Sequence, residues 1–164
     1  MTRGALERLA RCLDEQLSAL RHLCFKFEVQ EIVLSGGRHQ WLNETTGELE
    51  RAVHRVHDTD RALRAALAQG AVALGLSPES TVREVADAAP EPWGYIFGQH
   101  REDLQRSIDR VAQLSRTNRQ LLTRGHAATT SALQFLGADV PTGYDATGNA
   151  APATGSVGLL NARA

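Results

Sequence analysis

Aromatic residues are scarce in this chain: Phe, Tyr and Trp make up 5% of its 164 residues, against 42% apolar residues in all. The apolar remainder is dominated by Leu, Ala and Val, a balance that suits helix-on-helix packing more than sheets. Cysteine is limited to Cys12 and Cys24. Both fall in one predicted helix, where a separation of twelve residues spans about 18 Å, too far for a disulfide, so they read as reduced core thiols. No stretch approaches the roughly eighteen uninterrupted apolar residues of a membrane span, and the N-terminus lacks the basic, apolar and small-residue succession of a signal peptide. Membrane insertion is therefore not expected, and the cytoplasm is the expected compartment. Nor does charge of one sign prevail. Lys and Arg number 18 against 19 Asp and Glu, a formal net charge of −1, so no overall field draws the chain to nucleic acid or to an anionic membrane.

Catalytic spacings are missing too. No Glu-x-x-His pair occurs anywhere, which removes the ligand pattern of carboxylate-bridged dimetal bundles. Neither cysteine has a CxxC partner, and with no strand predicted there is no Gly-rich loop after a strand to cradle a phosphate. His54 and His57, with Asp58 and Asp60 close by, offer two imidazoles on one helix, but no third ligand sits at a matching offset, so they read as an exposed polar face. The chain reads as a non-enzyme with no cofactor and no metal.

What the sequence does hold is heptads. Leu6, Leu13, Leu20, Phe27 and Leu34 recur every seven residues, with Leu9, Leu17, Leu23 and Cys24 in the adjoining stripe; this predicts a helix over roughly 3–35. The repeat restarts as Leu42, Leu49, Val56 and Leu63, flanked by Ala52, Val53, Ala66 and Leu67, and predicts a second helix over roughly 39–74. Between them, in FKFEVQEIVLSGGRHQWL, the frame slips by one residue across Gly36 and Gly37: the first heptad carried forward lands on Trp41, whereas the second uses Leu42. Two helix-interior glycines would cost on the order of 2 kcal/mol relative to alanine, and a short Gly-containing connection makes antiparallel neighbours. A turn is therefore favoured over a bent continuous helix.

Gly75 to Ser80 is turn chemistry, and Thr81-Val82-Arg83-Glu84 is a capping-box pattern opening a short helix that Pro90 and Pro92 stop. A third seam runs through Leu104, Ile108, Val111, Leu114, Leu121, Leu122, Ala128, Ala132, Phe135 and Leu136, closes at Gly137, and predicts a helix over roughly 95–136. The expected architecture is all-α: an elongated antiparallel bundle or coiled coil of three long helices and one short one over 1–137. A flexible tail over 138–164 follows, too poor in apolar residues to build a core, with Tyr144 among its few possible anchors.

Three features of the last helix bear on binding. Arg101, Arg106, Arg110, Arg116, Arg119 and Arg124 give it a basic surface, but Glu102, Asp103 and Asp109 interleave and no aromatics stand ready to stack bases, so nucleic acid is not the expected partner. Asn118 occupies a seam position, where an asparagine sets register and oligomer state at some cost in stability, or else presents its amide to a partner helix. Gly125, Ala127, Ala128, Thr129, Thr130 and Ala132 make a small-faced stretch before Leu133, Phe135 and Leu136. It suits either close packing on the first helix or a slot for a foreign amphipathic helix.

Taken in order, FKFEVQEIVLSGGRHQWL with Glu48-Leu49-Glu50, then NRQLL at 118–122, then YDATG at 144–148 with the terminal NARA resemble the FlgN family of flagellar export chaperones, in the form found in actinobacterial members. The resemblance covers most of the chain. It implies that the glycines match a family-typical junction between the first two long helices. It also implies a non-enzymatic cytosolic chaperone that binds the helical C-terminal segments of hook-filament junction (hook-associated) proteins, prevents their premature assembly, and delivers them to the flagellar export gate. The expected partner-binding residues are Asn118, Leu121, Leu122, Leu133, Phe135, Leu136 and Tyr144. The competing readings are a coiled-coil protein that self-associates through its seams, leaving a homo-oligomer open, and a secretion chaperone with a different client.

Overall fold

The computed structural model describes residues 2–135. Helix α1 spans Thr2–Ser35, α2 Leu42–Ala73, α3 Val82–Ala88 and α4 Trp93–Phe135, with one 3-10 turn, His39–Trp41, leading into α2. Among the described residues there is no strand, and the all-α class expected from the heptads is the class observed. The second helix starts later than its predicted bound because residues 39–41 wind as a 3-10 turn, and the last starts at Trp93, close behind Pro92. The tail expected over 138–164 lies outside the described residues. The chain divides into two units, Met1–Asn118 and Arg119–Ala164.

In the first unit, Gly36 and Gly37 form a turn. The Arg38 N–H donates to the Val33 carbonyl at 3.0 Å and the Gly37 N–H to that of Leu34 at 3.3 Å, with Gly37 at φ 63°. This is the paired closure that ends a helix on a left-handed residue, and glycine enters that conformation without a Cβ penalty. The same device ends α2: Leu76 N–H donates to Ala71 at 2.9 Å and Gly75 N–H to Val72 at 3.0 Å, with Gly75 at φ 78°. The start of α3 is the expected capping box, in which Thr81 and Glu84 each accept from the other's backbone N–H. Those bonds from the Thr81 N–H and hydroxyl hold the Glu84 carboxyl below its ordinary range.

The hairpin of α1 and α2 is antiparallel: Arg8 bonds Gln69 at 3.2 Å near one end, and Gln30 bonds Thr46 at 3.1 Å near the other. Leucines of α1 pack against small residues of α2, among them Ala52, Ala66, Gly70 and Ala71, all buried. The fit is close enough that a Cβ added at Gly70 would stand 3.2 Å from the Leu9 Cδ2. Two apolar clusters result. One gathers Leu6, Leu9, Leu13, Leu63, Ala66, Ala71, Val85 and Phe97, so that α3 and the start of α4 close over the N-terminal half of α1. The other gathers Leu23, Phe27, Ala52 and Leu114. Along α1 the buried Gln16 falls between them and accepts from the Thr59 hydroxyl.

Up to Asn118, α4 runs parallel to α1, as three edge pairs show. His100 Nε2 lies 2.8 Å from Asp14, Arg21 lies 3.8 Å from Asp103, and Arg110 donates to Glu28 at 2.9 Å. The α1 members recur every seven residues, and Asp103 and Arg110 of α4 answer Arg21 and Glu28 with the opposite charge. Each such edge pair adds little stability, but together they favour this direction and register.

Because Gly37 and Gly75 each hold a positive φ that closes a helix, Gly37→Ala and Gly75→Ala are each expected to lower stability by about 1–2 kcal/mol. Urea denaturation followed by circular dichroism measures this directly.

Candidate partner-binding surface

The candidate site was expected on the last helix, and its residues divide sharply by exposure. Asn118 is 2% exposed. Its side-chain amide donates to the Phe27 carbonyl at 2.9 Å and to the Gln30 Oε1 at 3.0 Å, while the Gln30 amide donates onward to the Thr46 hydroxyl at 3.1 Å. One chain of amides and a hydroxyl thus ties α4 to α1 and α1 to α2. Within this chain the Asn118 amide is thus engaged by α1. The arrangement has a cost, since Asn118 Oδ1 is buried without a hydrogen-bond partner among the described residues.

The described part of the second unit is residues 119–135 of α4. Leu121 is half-buried, Leu122 is 41% exposed and Phe135 is 92% exposed. Ala127, Ala128, Thr129 and Ala132 are exposed as well. Thr123 and Thr129 turn their hydroxyls back onto the carbonyls of Arg119 and Gly125, both at 2.9 Å, while Arg119, Gln120, Arg124, His126, Ser131 and Gln134 are exposed polar side chains among the apolar ones. Leu133 falls on α4, whereas Leu136 and Tyr144 lie outside the described residues. The expected third seam is therefore continuous in sequence but not in burial. Leu114 is buried, while Ile108, on the same predicted seam, is half exposed, and the apolar residues from Leu122 onward that can be described face solvent.

Several charged and thiol groups singled out in the sequence are exposed, paired with a neighbour, or held unreactive. His54, His57 and Asp58 are exposed, and Asp58 and Asp60 are paired with Arg61 and Arg64. Among the described residues no group of three or more His, Cys, Asp or Glu side chains is placed to hold a metal. Cys12 and Cys24 are free, and burial first, then Glu15 and Glu28 respectively, push their thiols up, which keeps them protonated and poorly nucleophilic. On α4, Arg106 is engaged by Asp103, whose carboxyl that bond holds down, and Arg110 by Glu28.

The polar core partners Gln16, Gln30, Thr46 and Thr59 were not singled out by the sequence reading. A signal was present: Leu9, Gln16, Leu23 and Gln30 are spaced by seven, so both glutamines occupy a leucine slot of the repeat. A polar residue in an apolar slot demands a partner, and the partners are on α2 and α4.

Removing one partner of a buried hydrogen bond leaves the other unsatisfied, at about 1–3 kcal/mol. Asn118→Ala is expected to cost that much. Combining it with Gln30→Ala should cost clearly less than the sum of the two single losses, a coupling of about 0.5–3 kcal/mol in a denaturant double-mutant cycle. Additive losses would show that the two amides act independently.

Against known proteins, a family model described as FlgN protein matches residues 1–152. No curated protein and no solved structure matches the chain.

Proposed function

Since that match spans nearly the whole sequence, the chain belongs to the FlgN family of flagellar export chaperones, and we propose that it is a cytosolic chaperone for hook-filament junction proteins. In this reading it binds their helical C-terminal segments, prevents premature assembly and delivers them to the export gate. The observation that carries the reading is the solvent exposure of Leu122 and Phe135 on α4, before and after a stretch rich in Ala, Thr and Gly. Exposed aromatic and aliphatic side chains next to small residues suit helix-in-groove recognition, in which anchors recur at three- and four-residue spacings and the backbones approach closely. Leu121, Leu133 and Leu136 extend the proposed anchor set, and Asn118 serves it indirectly by fixing α4 in register. Ordering of the tail around Tyr144 on contact would lower affinity while covering the captured helix. Chaperones of this family are not enzymes, and binding without turnover fits that character.

Burial of a Leu or Phe side chain at such a contact is worth roughly 1.5–3 kcal/mol. Leu122→Ala and Phe135→Ala are accordingly expected to weaken the calorimetric affinity for a junction-protein C-terminal peptide by about tenfold or more. By circular dichroism, the Phe135→Ala melt should match the parent chain, because that side chain is 92% exposed, and the Leu122→Ala melt should fall only slightly. A lowered melting temperature with unchanged peptide affinity would assign these residues to the core and move the client site elsewhere.

A further inference from the structure

A second surface, independent of the α4 reading, lies along the hairpin of α1 and α2. Two clefts of about 290 Å³ each adjoin there and share Glu48. Toward the turn, one is lined by Val33, Trp41, Glu44 and Thr45; away from it, the other is lined by His22, Lys26, Arg51, Ala52 and Arg55. Together they form a furrow of roughly 20 Å, from Trp41 to Arg55, at the rise of a helix. The crest of α1 beside it is apolar: Phe25 is 54% and Ile32 68% exposed, with Val29 half-buried between them. These residues lie at helical offsets of four and three, on the side of α1 opposite Leu23, Phe27 and Gln30. They take no part in either apolar cluster.

The charges of the furrow are unevenly settled. Lys26 and Glu48 pair at 2.8 Å, and Lys26 also stands 5.3 Å from the Phe25 ring centre. Arg51 and Arg55, both exposed, pair with no carboxylate among the described residues. One end of the furrow is thus cationic, and the other offers Trp41, half exposed, over Val33. Exposed aromatics beside unpaired arginines are the residue types that carry binding energy at protein interfaces. Glu44 and Glu48 stand along the same wall and would repel a continuous phosphate backbone, which disfavours nucleic acid.

We propose that this furrow docks an acidic protein segment carrying an apolar anchor, with the anchor against Trp41 and Val33 and the carboxylates on Arg51 and Arg55. Bidentate arginine–carboxylate pairing supplies the charge recognition, and the apolar half explains why a peptide, rather than a free phosphate, fits the whole length.

The test uses the full chain and fluorescein-labelled synthetic peptides in anisotropy titrations: one with a Trp-Leu anchor followed by a run of glutamates, and one with lysines in place of the glutamates. The glutamate peptide should bind saturably and lose affinity as salt rises, and the lysine peptide should bind at least about tenfold more weakly. Arg51→Glu with Arg55→Glu should weaken the glutamate peptide about tenfold or more with an unchanged melting curve, because both side chains are exposed, and Trp41→Ala should weaken it several-fold at a temperature well below its own melting midpoint. The proposal is overturned if the two peptides bind alike, or if the double charge reversal leaves affinity intact. It is likewise overturned if sedimentation shows that the same variants alter the oligomeric state of the chain alone, which would make the furrow a contact between copies.

Discussion

The buried amide relay from Asn118 through Gln30 to Thr46 is the constraint on which the alignment of the three long helices depends. Apolar layers built from Leu on one side and Ala or Gly on the other are permissive, because a shift by one heptad brings similar side chains into similar holes. The relay is not permissive. Moving α4 by seven residues would set Val111 or Gly125 opposite Gln30, and neither side chain can bond an amide, so a buried polar group would be stranded at a cost of about 1–3 kcal/mol. The unsatisfied Asn118 Oδ1 shows that this specificity is held against some loss of stability, as for polar residues at coiled-coil seams generally. The edge pairs of Asp14, Arg21 and Glu28 with His100, Asp103 and Arg110 agree with the register that the relay selects, but as pairs with at least one partner open to solvent they are too weak to select it alone.

Once the register is fixed, the rest of the first unit follows. Phe97 reaches the cluster around Leu9 and Leu13, Val85 of the short helix closes over it, and Trp93 stacks on Phe97 with ring centres 5.8 Å apart. The small residues of α2 allow the close approach that buries the α1 leucines almost completely. Gln16 with Thr59 adds a second polar level between the two apolar clusters, so the hairpin has its own reference point apart from α4.

The fold was legible because its signals are local and periodic. The heptads of α1 show in burial from Leu6 to Phe27, the glycine pair closes a helix where the frame slips, and Thr81 with Glu84 caps as its spacing requires. Period alone does not report burial, however. Ile108, Leu122 and Phe135 continue the apolar pattern of α4 and yet are exposed, because a seven-residue repeat marks a stripe along a helix and not which part of that stripe another helix covers. Asn118 was legible as an exception to the seam but not as one member of a relay, since its partners come from sequence positions far away on two other helices. Phe25, Ile32 and Trp41 belong to the stretch around the glycine pair, and nothing in the sequence marks Arg51 and Arg55 apart from other helix-surface charges; that they flank one furrow depends on the antiparallel pairing, which no single helix reveals.

The magnitudes also bear on how a chaperone of this build would hold and release a client on α4. In the proposed reading Phe135 contributes about 1.5–3 kcal/mol of gross burial and Leu122, already more than half buried, a smaller part, against at least about 4 kcal/mol of lost translational and rotational freedom on association. Two anchors alone therefore leave little net affinity. The small-residue stretch of Ala127, Ala128 and Ala132 becomes necessary, because close backbone approach extends the buried area without further large side chains. The same arithmetic sets an upper limit on grip: a client held by a few solvent-facing anchors dissociates readily. An export chaperone must surrender its cargo intact, and it has more use for a surface of that strength than for a deep apolar pocket.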